Sequence, residues 1–204
     1  QKHAQKGRDI ILIGHKGHPE VIGTLGRHPP NSNTKIYLVE NNDDIKKLEI
    51  NSPEVAYVTQ TTLSVDETRE LINSLKEKFP GIIGPSADDI CYATQNRQDA
   101  VKQLSLECQI VLVIGSQTSS NSNRLKELAE KCGTKSFLID DKTDIDLNSL
   151  KEATSVGITA GASAPEEIVQ EVISFLVPLG FKTVRNLSEN NENMTFKLPK
   201  ELTS

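Results

Sequence analysis

The chain has 204 residues, 36% of them hydrophobic and 25% charged, with a net charge of −5 and no Trp. That length allows one large domain or two small ones, each with a buried core. The acidic balance speaks against a broad nucleic-acid or anionic-membrane surface, and no apolar run approaches the ~18 residues of a transmembrane helix, so neither nucleic acid nor membrane is an expected partner.

The first residues, Gln1 to Gly7, carry no initiator Met, signal peptide or apolar targeting core. They read as the last turns of a helix ending at Gly7, and the expectation is a chain that begins part-way through a longer protein. The run Ile10-Ile11-Leu12-Ile13-Gly14 then fits a buried parallel strand. About a hundred residues on stands Val111-Leu112-Val113-Ile114-Gly115. Ile36 to Glu40, followed by Asp44-Ile45, matches Ser136 to Asp140, followed by Asp144-Ile145. Val55 to Thr59 matches Ser155 to Thr159, and Leu75 matches Phe175. From the second strand onward the offset reads as one hundred.

Each half therefore reads strand, loop, helix, strand, helix, strand, loop, helix. Leu71, Ile72 and Leu75 space an apolar face on a helix after Ser64, with Glu67 completing a capping box. Ser163 and Glu166 repeat that box ahead of Ile168, Val169, Val172 and Phe175. Leu125, Leu128 and Cys132 follow Asn121 in the same way. The predicted fold class is α/β: two pseudo-repeated lobes, each a small parallel sheet flanked by helices. Residues 1–87 form one lobe and 88–180 the other, meeting near Pro85 to Thr94. The tail 181–204 turns polar, then alternates at Met194, Phe196 and Leu198 like a short strand.

Ligands of open parallel sheets bind beyond the carboxyl ends of the strands. Four loops fall there: His15 to Glu20, Thr59 to Ser64, Ser116 to Asn123 and Thr159 to Ser163. They are rich in hydroxyls, amides and imidazoles and nearly free of Lys and Arg. Helix N-termini and neutral donors together can hold a phosphate. N-capping explains one residue of Ser119-Ser120-Asn121-Ser122-Asn123, but not all five. Ser163 serves equally well as an N-cap or as a site residue. Glu20, behind Pro19, suits the positive end of a helix. Thr61 and Thr62 fit the end of a strand. His15 and His18 lack the spacing of a zinc pair.

Three widely spaced cysteines make no disulfide framework, so a reducing cytoplasm is expected. Cys108 and Cys132 read as small buried hydrophobes. Cys91 lies outside any apolar periodicity, between a turn and a helix capped by Thr94, and stands as a candidate ligand whose partners come from distant sequence.

Five blocks now carry a resemblance: Ile11 to Glu20 (with His15-x-Gly17-His18-Pro19-Glu20), Thr59 to Ser64, Asp89 to Arg97, Ser119 to Leu125, and Thr159 to Pro165. In this order, across essentially the whole chain, they resemble the LytB/IspH family, the 4-hydroxy-3-methylbut-2-enyl diphosphate reductases. The resemblance implies a three-lobed fold around a central 4Fe–4S cluster. It implies removal of an allylic hydroxyl with two electrons and protons, giving isopentenyl and dimethylallyl diphosphate, the last step of the non-mevalonate isoprenoid pathway. Ferredoxin or flavodoxin is the implied electron donor. By the same resemblance Cys91 is a cluster ligand, and Glu20 with Thr61 protonates the departing hydroxyl. His18 reaches the substrate, and Ser119, Asn121 and Ser163 hold the diphosphate, with Ser120 and Thr62 beside them. The family's first lobe, with two of its three cluster cysteines, has no counterpart here. The chain thus corresponds to the second and third lobes, and the tail 181–204 to a segment that packs on the first. The rival reading is a non-enzymatic, two-lobed module that binds a phosphate ligand. A Rossmann-type enzyme is weaker still, since no G-x-G-x-x-G follows either first strand.

Overall fold

The structure is a computed structural model that describes residues 1–85 and 89–187. It contains two three-stranded parallel sheets, one for each half of the sequence. The first joins β1 (Asp9–Ile13), β2 (Ile36–Val39) and β3 (Val55–Thr59) in the order β2-β1-β3. The second joins β4 (Ile110–Ile114), β5 (Lys135–Ile139) and β6 (Val156–Ala160) in the order β5-β4-β6. The first strand of each half is therefore central. Both central strands are buried along their whole length, which is why they read as unbroken apolar runs. Pleating sends Ile110, Leu112 and Ile114 into one core and Val111 and Val113 into another.

The helices fall largely where the apolar spacing places them. They are α1 (Pro19–Gly26), α2 (Asn42–Lys47), α3 (Val65–Lys78), α4 (Tyr92–Glu107), α5 (Ser120–Lys131), α6 (Leu147–Leu150) and α7 (Glu166–Leu176). Leu71 and Leu75 of α3 pack on Ile11 and Ile13, and Val172 and Leu176 of α7 pack on the second sheet. Each buried aliphatic side chain of this kind contributes about 1.5–3 kcal/mol. Gln1 to Gly7 is a short 3-10 turn over Ala4–Lys6, closed by Gly7 at φ 73°.

Several expectations are corrected. Ser163 does not cap α7: the helix starts at Glu166 behind an extended Pro165, because a residue preceding proline is kept out of the helical region. Ser64 does cap α3, accepting the Glu67 N–H at 3.4 Å, but the Glu67 carboxylate reaches across to Arg124 and Lys131. Thr94 lies inside α4, whose N-cap is Cys91 itself. Cys132 is exposed at the end of α5, where the chain turns outward at Gly133, while Cys108 is half-buried. The second half has only a 3-10 turn (Lys142–Asp144) where α2 stands in the first, with α6 after it.

The repeat keeps the spacing of one hundred at the second strands but is one residue longer at the first and third. Val39 and Ile139 pair with Ile13 and Ile114, and Thr59 and Ala160 pair with the same two residues on the other side. Thr59 is thus matched by Ala160 rather than Thr159. A sheet tolerates no compromise here, because a one-residue slip turns every side chain to the opposite face. The Met194–Leu198 alternation and the 87/88 boundary lie outside the described residues. At the edge of the first sheet Ile83 pairs with β3, exchanging bonds with Val55 and Tyr57.

Candidate functional site

The loops after β1, β3, β4 and β6 converge between the two sheets, at the carboxyl ends of the strands. In the first half, α1 begins at His18, whose Nδ1 accepts the Glu20 N–H at 3.2 Å. An accepting Nδ1 leaves the ring proton on Nε2, which donates to Ser120 Oγ of the second half at 2.6 Å. Glu20 occupies the second position of α1, where the helix N-terminus favours a carboxylate. Its two oxygens take the Thr61 backbone N–H at 2.9 Å and the Thr61 hydroxyl at 3.1 Å. The Thr61 carbonyl in turn accepts the Cys91 N–H at 3.2 Å, which places the exposed Cys91 one residue from the acid's clamp.

Gln60 had no role in the sequence reading, yet it is 1% exposed. Its Oε1 accepts the His15 N–H and its Nε2 donates to Thr62 Oγ1, both at 3.1 Å. Gln98 is equally buried and ties α4 to the first half, donating to Leu63 O at 2.8 Å and accepting from Val65 N at 3.0 Å. The available signal was a polar residue inside the stripe Thr94, Gln98, Val101.

The second half presents donors. Ser119 caps α5, its Oγ accepting the Ser122 N–H at 3.3 Å and the Ser122 hydroxyl at 3.1 Å. Asn121 is 6% exposed; its Oδ1 accepts the Ala162 N–H at 3.0 Å, while its Nδ2 has no hydrogen-bond partner. Ser163 is exposed on the same loop as Ala162. In this arrangement the oxygens of Ser119 and Ser120 already accept bonds within the protein, so their own hydroxyl hydrogens remain to be given, as do those of the Asn121 amide. That combination suits an anion held by neutral donors at a helix N-terminus. Arg124 bonds through its terminal nitrogens to Glu127 at 2.8 Å, to Glu67 at 3.5 Å and to His15 Nε2 at 3.1 Å, while its buried Nε has no hydrogen-bond partner. Thr62, Ser120, Gln60 and Arg124 line a cleft of about 290 Å³ between the halves. A larger open groove of about 660 Å³ runs along α7 past Lys142 and Glu171, away from every predicted site residue.

Of the nine predicted site residues, Thr62 and Ser120 line this cleft, His18 bonds to Ser120, and Ser119 bonds to the lining Asn123. Glu20 and Cys91 meet at Thr61, between Gln60 and Thr62 in sequence, while Asn121 bonds to Ala162, next to Ser163.

An iron–sulfur cluster needs several thiolates close together. Cys91 and Cys108 flank the two ends of α4, about 25 Å apart at 1.5 Å per residue. Cys132 closes the end of α5 opposite its capping serine. Among the described residues no group of three or more His, Cys, Asp or Glu is placed to hold a metal ion. The described chain therefore does not by itself fit a cluster, and offers one thiol where several are required. Among the same residues no helix is long and apolar enough to cross a membrane.

A model of the family described as LytB protein matches residues 1–177. The 4-hydroxy-3-methylbut-2-enyl diphosphate reductase of Saccharophagus degradans is 54% identical over 98% of this chain and 65% of its own length. That of Alcanivorax borkumensis is 52% identical with the same coverage. Among solved structures, the E-1-hydroxy-2-methyl-but-2-enyl-4-diphosphate reductase of Plasmodium falciparum superposes with a TM-score of 0.87 at 36% identity, over 97% of this chain and 62% of that one. The chain spans about 65% of the length of the curated relatives it matches.

Proposed function

The chain belongs to the LytB protein family, and from that premise we propose that it forms part of a 4-hydroxy-3-methylbut-2-enyl diphosphate reductase. The observation that carries the reading is the clamp of Thr61 on Glu20, with Cys91 anchored on the same threonine. An acid held by two donors faces a second helix N-terminus whose hydroxyls and amide are free to bind an anion.

The reaction takes up two electrons and two protons, breaks the allylic C–O bond and releases water. Hydroxide is a poor leaving group, so Glu20 supplies the proton that lets it depart as water, and the Thr61 hydroxyl keeps that proton donor in register. Ser119, Ser120, Asn121 and Ser163 bind the diphosphate, with Thr62 beside them, and His18 joins the two sides through Ser120. Cys91 would hold one corner of a 4Fe–4S cluster, which needs further protein ligands and would supply the electrons. Residues 1–87 and 88–180 are then the second and third lobes. The electrons come from ferredoxin or flavodoxin, and unpaired thiols suit a cytoplasmic setting.

Glu20→Gln tests this in the full-length protein. The variant should bind the diphosphate substrate within a few-fold of wild type and lose turnover by about 10²–10⁴-fold. Turnover near wild type would remove Glu20 from the proton path. A wild-type protein that binds the substrate and never reduces it would instead favour a phosphate-ligand binding module.

A further inference from the structure

The two halves of the cleft are the same local design used twice. Gln60 N–H donates to Ile13 O at 2.8 Å, and Gly161 N–H donates to Ile114 O at 2.8 Å. Thr61 and Ala162 are the next residues, and so occupy equivalent positions. The first helix after each central strand starts at an N-cap, His18 or Ser119, and carries at its second position Glu20 or Asn121. Glu20 accepts the Thr61 N–H, and Asn121 accepts the Ala162 N–H, at 2.9 and 3.0 Å.

Besides the helix residues themselves, the halves differ in the group that faces the second helical position. Thr61 adds a hydroxyl that engages the second oxygen of Glu20 at 3.1 Å. Ala162 has none, and the Asn121 Nδ2 is left buried without a partner. An unsatisfied buried donor is costly and is seldom kept without use. We propose that Ala162 is a positioning residue: by lacking a hydroxyl it leaves the Asn121 amide free to donate to the bound anion. The inference rests on the anion-binding reading of this half of the cleft. Glu20 takes both donors of Thr61, which fix its carboxyl group in place, whereas Asn121 needs one contact to be oriented and one group to spare. The residue opposite the second helical position thus decides which half holds the proton donor and which holds the anion.

The test compares Ala162→Thr with its isostere Ala162→Val, using inorganic diphosphate as the probe and the full-length holoenzyme for turnover. Ala162 is exposed, so either side chain has room. A threonine here repeats the Thr61 geometry, with its hydroxyl accepting from Asn121 Nδ2. Ala162→Thr should weaken diphosphate binding about 10- to 100-fold beyond Ala162→Val, with the loss appearing in KM rather than in kcat. Equal losses in the two variants, or none in either, would overturn the proposal, because size and not the hydroxyl would then govern the site. If the threonine–valine split appears in a protein without reductase activity, the enzyme reading fails and the role of Ala162 stands. If the enzyme turns over and no split appears, the reverse holds. A wild-type protein that binds no diphosphate sinks both.

Discussion

Gly161 sits where β6 runs into the site loop, and the space its missing Cβ leaves belongs to Ser122. A Cβ built there would collide with Ser122 Oγ, while the Ser122 Cβ would lie at 3.5 Å and the Ile114 carbonyl at 3.7 Å, both ordinary contacts. The clash therefore comes from one atom, and removing that atom should relieve it. Gly161→Ala alone should cost about 1–3 kcal/mol, the usual penalty for overpacking. At about 2–4 °C per kcal/mol for a chain of this size, the melting midpoint should fall by about 2–12 °C. Ser122→Ala alone loses the 3.1 Å bond to Ser119 Oγ, worth about 0.5–1.5 kcal/mol. The double variant should be little worse than Ser122→Ala, a coupling of about 1–2 kcal/mol. Gly115→Ala supplies the contrast. Its Cβ would meet the Ser122 Cβ itself at 2.9 Å, at a φ of +155° that side chains rarely adopt, so Ser122→Ala should not rescue it. Thermal and urea midpoints of the three single and two double variants measure all of this. Additive losses for Gly161→Ala with Ser122→Ala would refute the reasoning, since the clash would then lie elsewhere.

Other outcomes follow from the charges and thiols. The Lys131 ammonium bonded to Glu67, aided by Arg124, holds its carboxyl below the ordinary glutamate value of 4.5. A depressed folded pKa gives stability that is present above about pH 4.5 and lost as pH falls through the folded value. Glu67 is 48% exposed, so solvent screening limits this to at most ~1 kcal/mol. Glu67→Gln should melt slightly below wild type at pH 7, with the gap closing in acid and in 1 M salt; a gap that persists at pH 3 would rule out the ion pair as its cause. Burial pushes the Cys108 thiol up, whereas Cys91 and Cys132 are exposed. A thiol-reactive dye at pH 8 should modify two cysteines quickly and the third slowly, and three equal rates would contradict this placement.

The sequence by itself determined the elements and their repetition. Unbroken apolar runs marked the two central strands, Ser64 marked the start of α3, and the polar strand-end loops marked the cleft, because these depend on residues within a few positions of one another. The family blocks around Glu20, Cys91 and Asn121 were equally legible, being contiguous. Only the tertiary structure decided the register between the halves, where Thr61 answers to Ala162 and Pro165 displaces Ser163 from the helix cap. The same holds for Gln60, Gln98 and the spare amide of Asn121, whose meaning lies in partners two to forty-five positions away. Strand pairing and packing between distant segments fix those contacts, and local spacing carries no record of a one-residue shift that only a shared sheet can enforce.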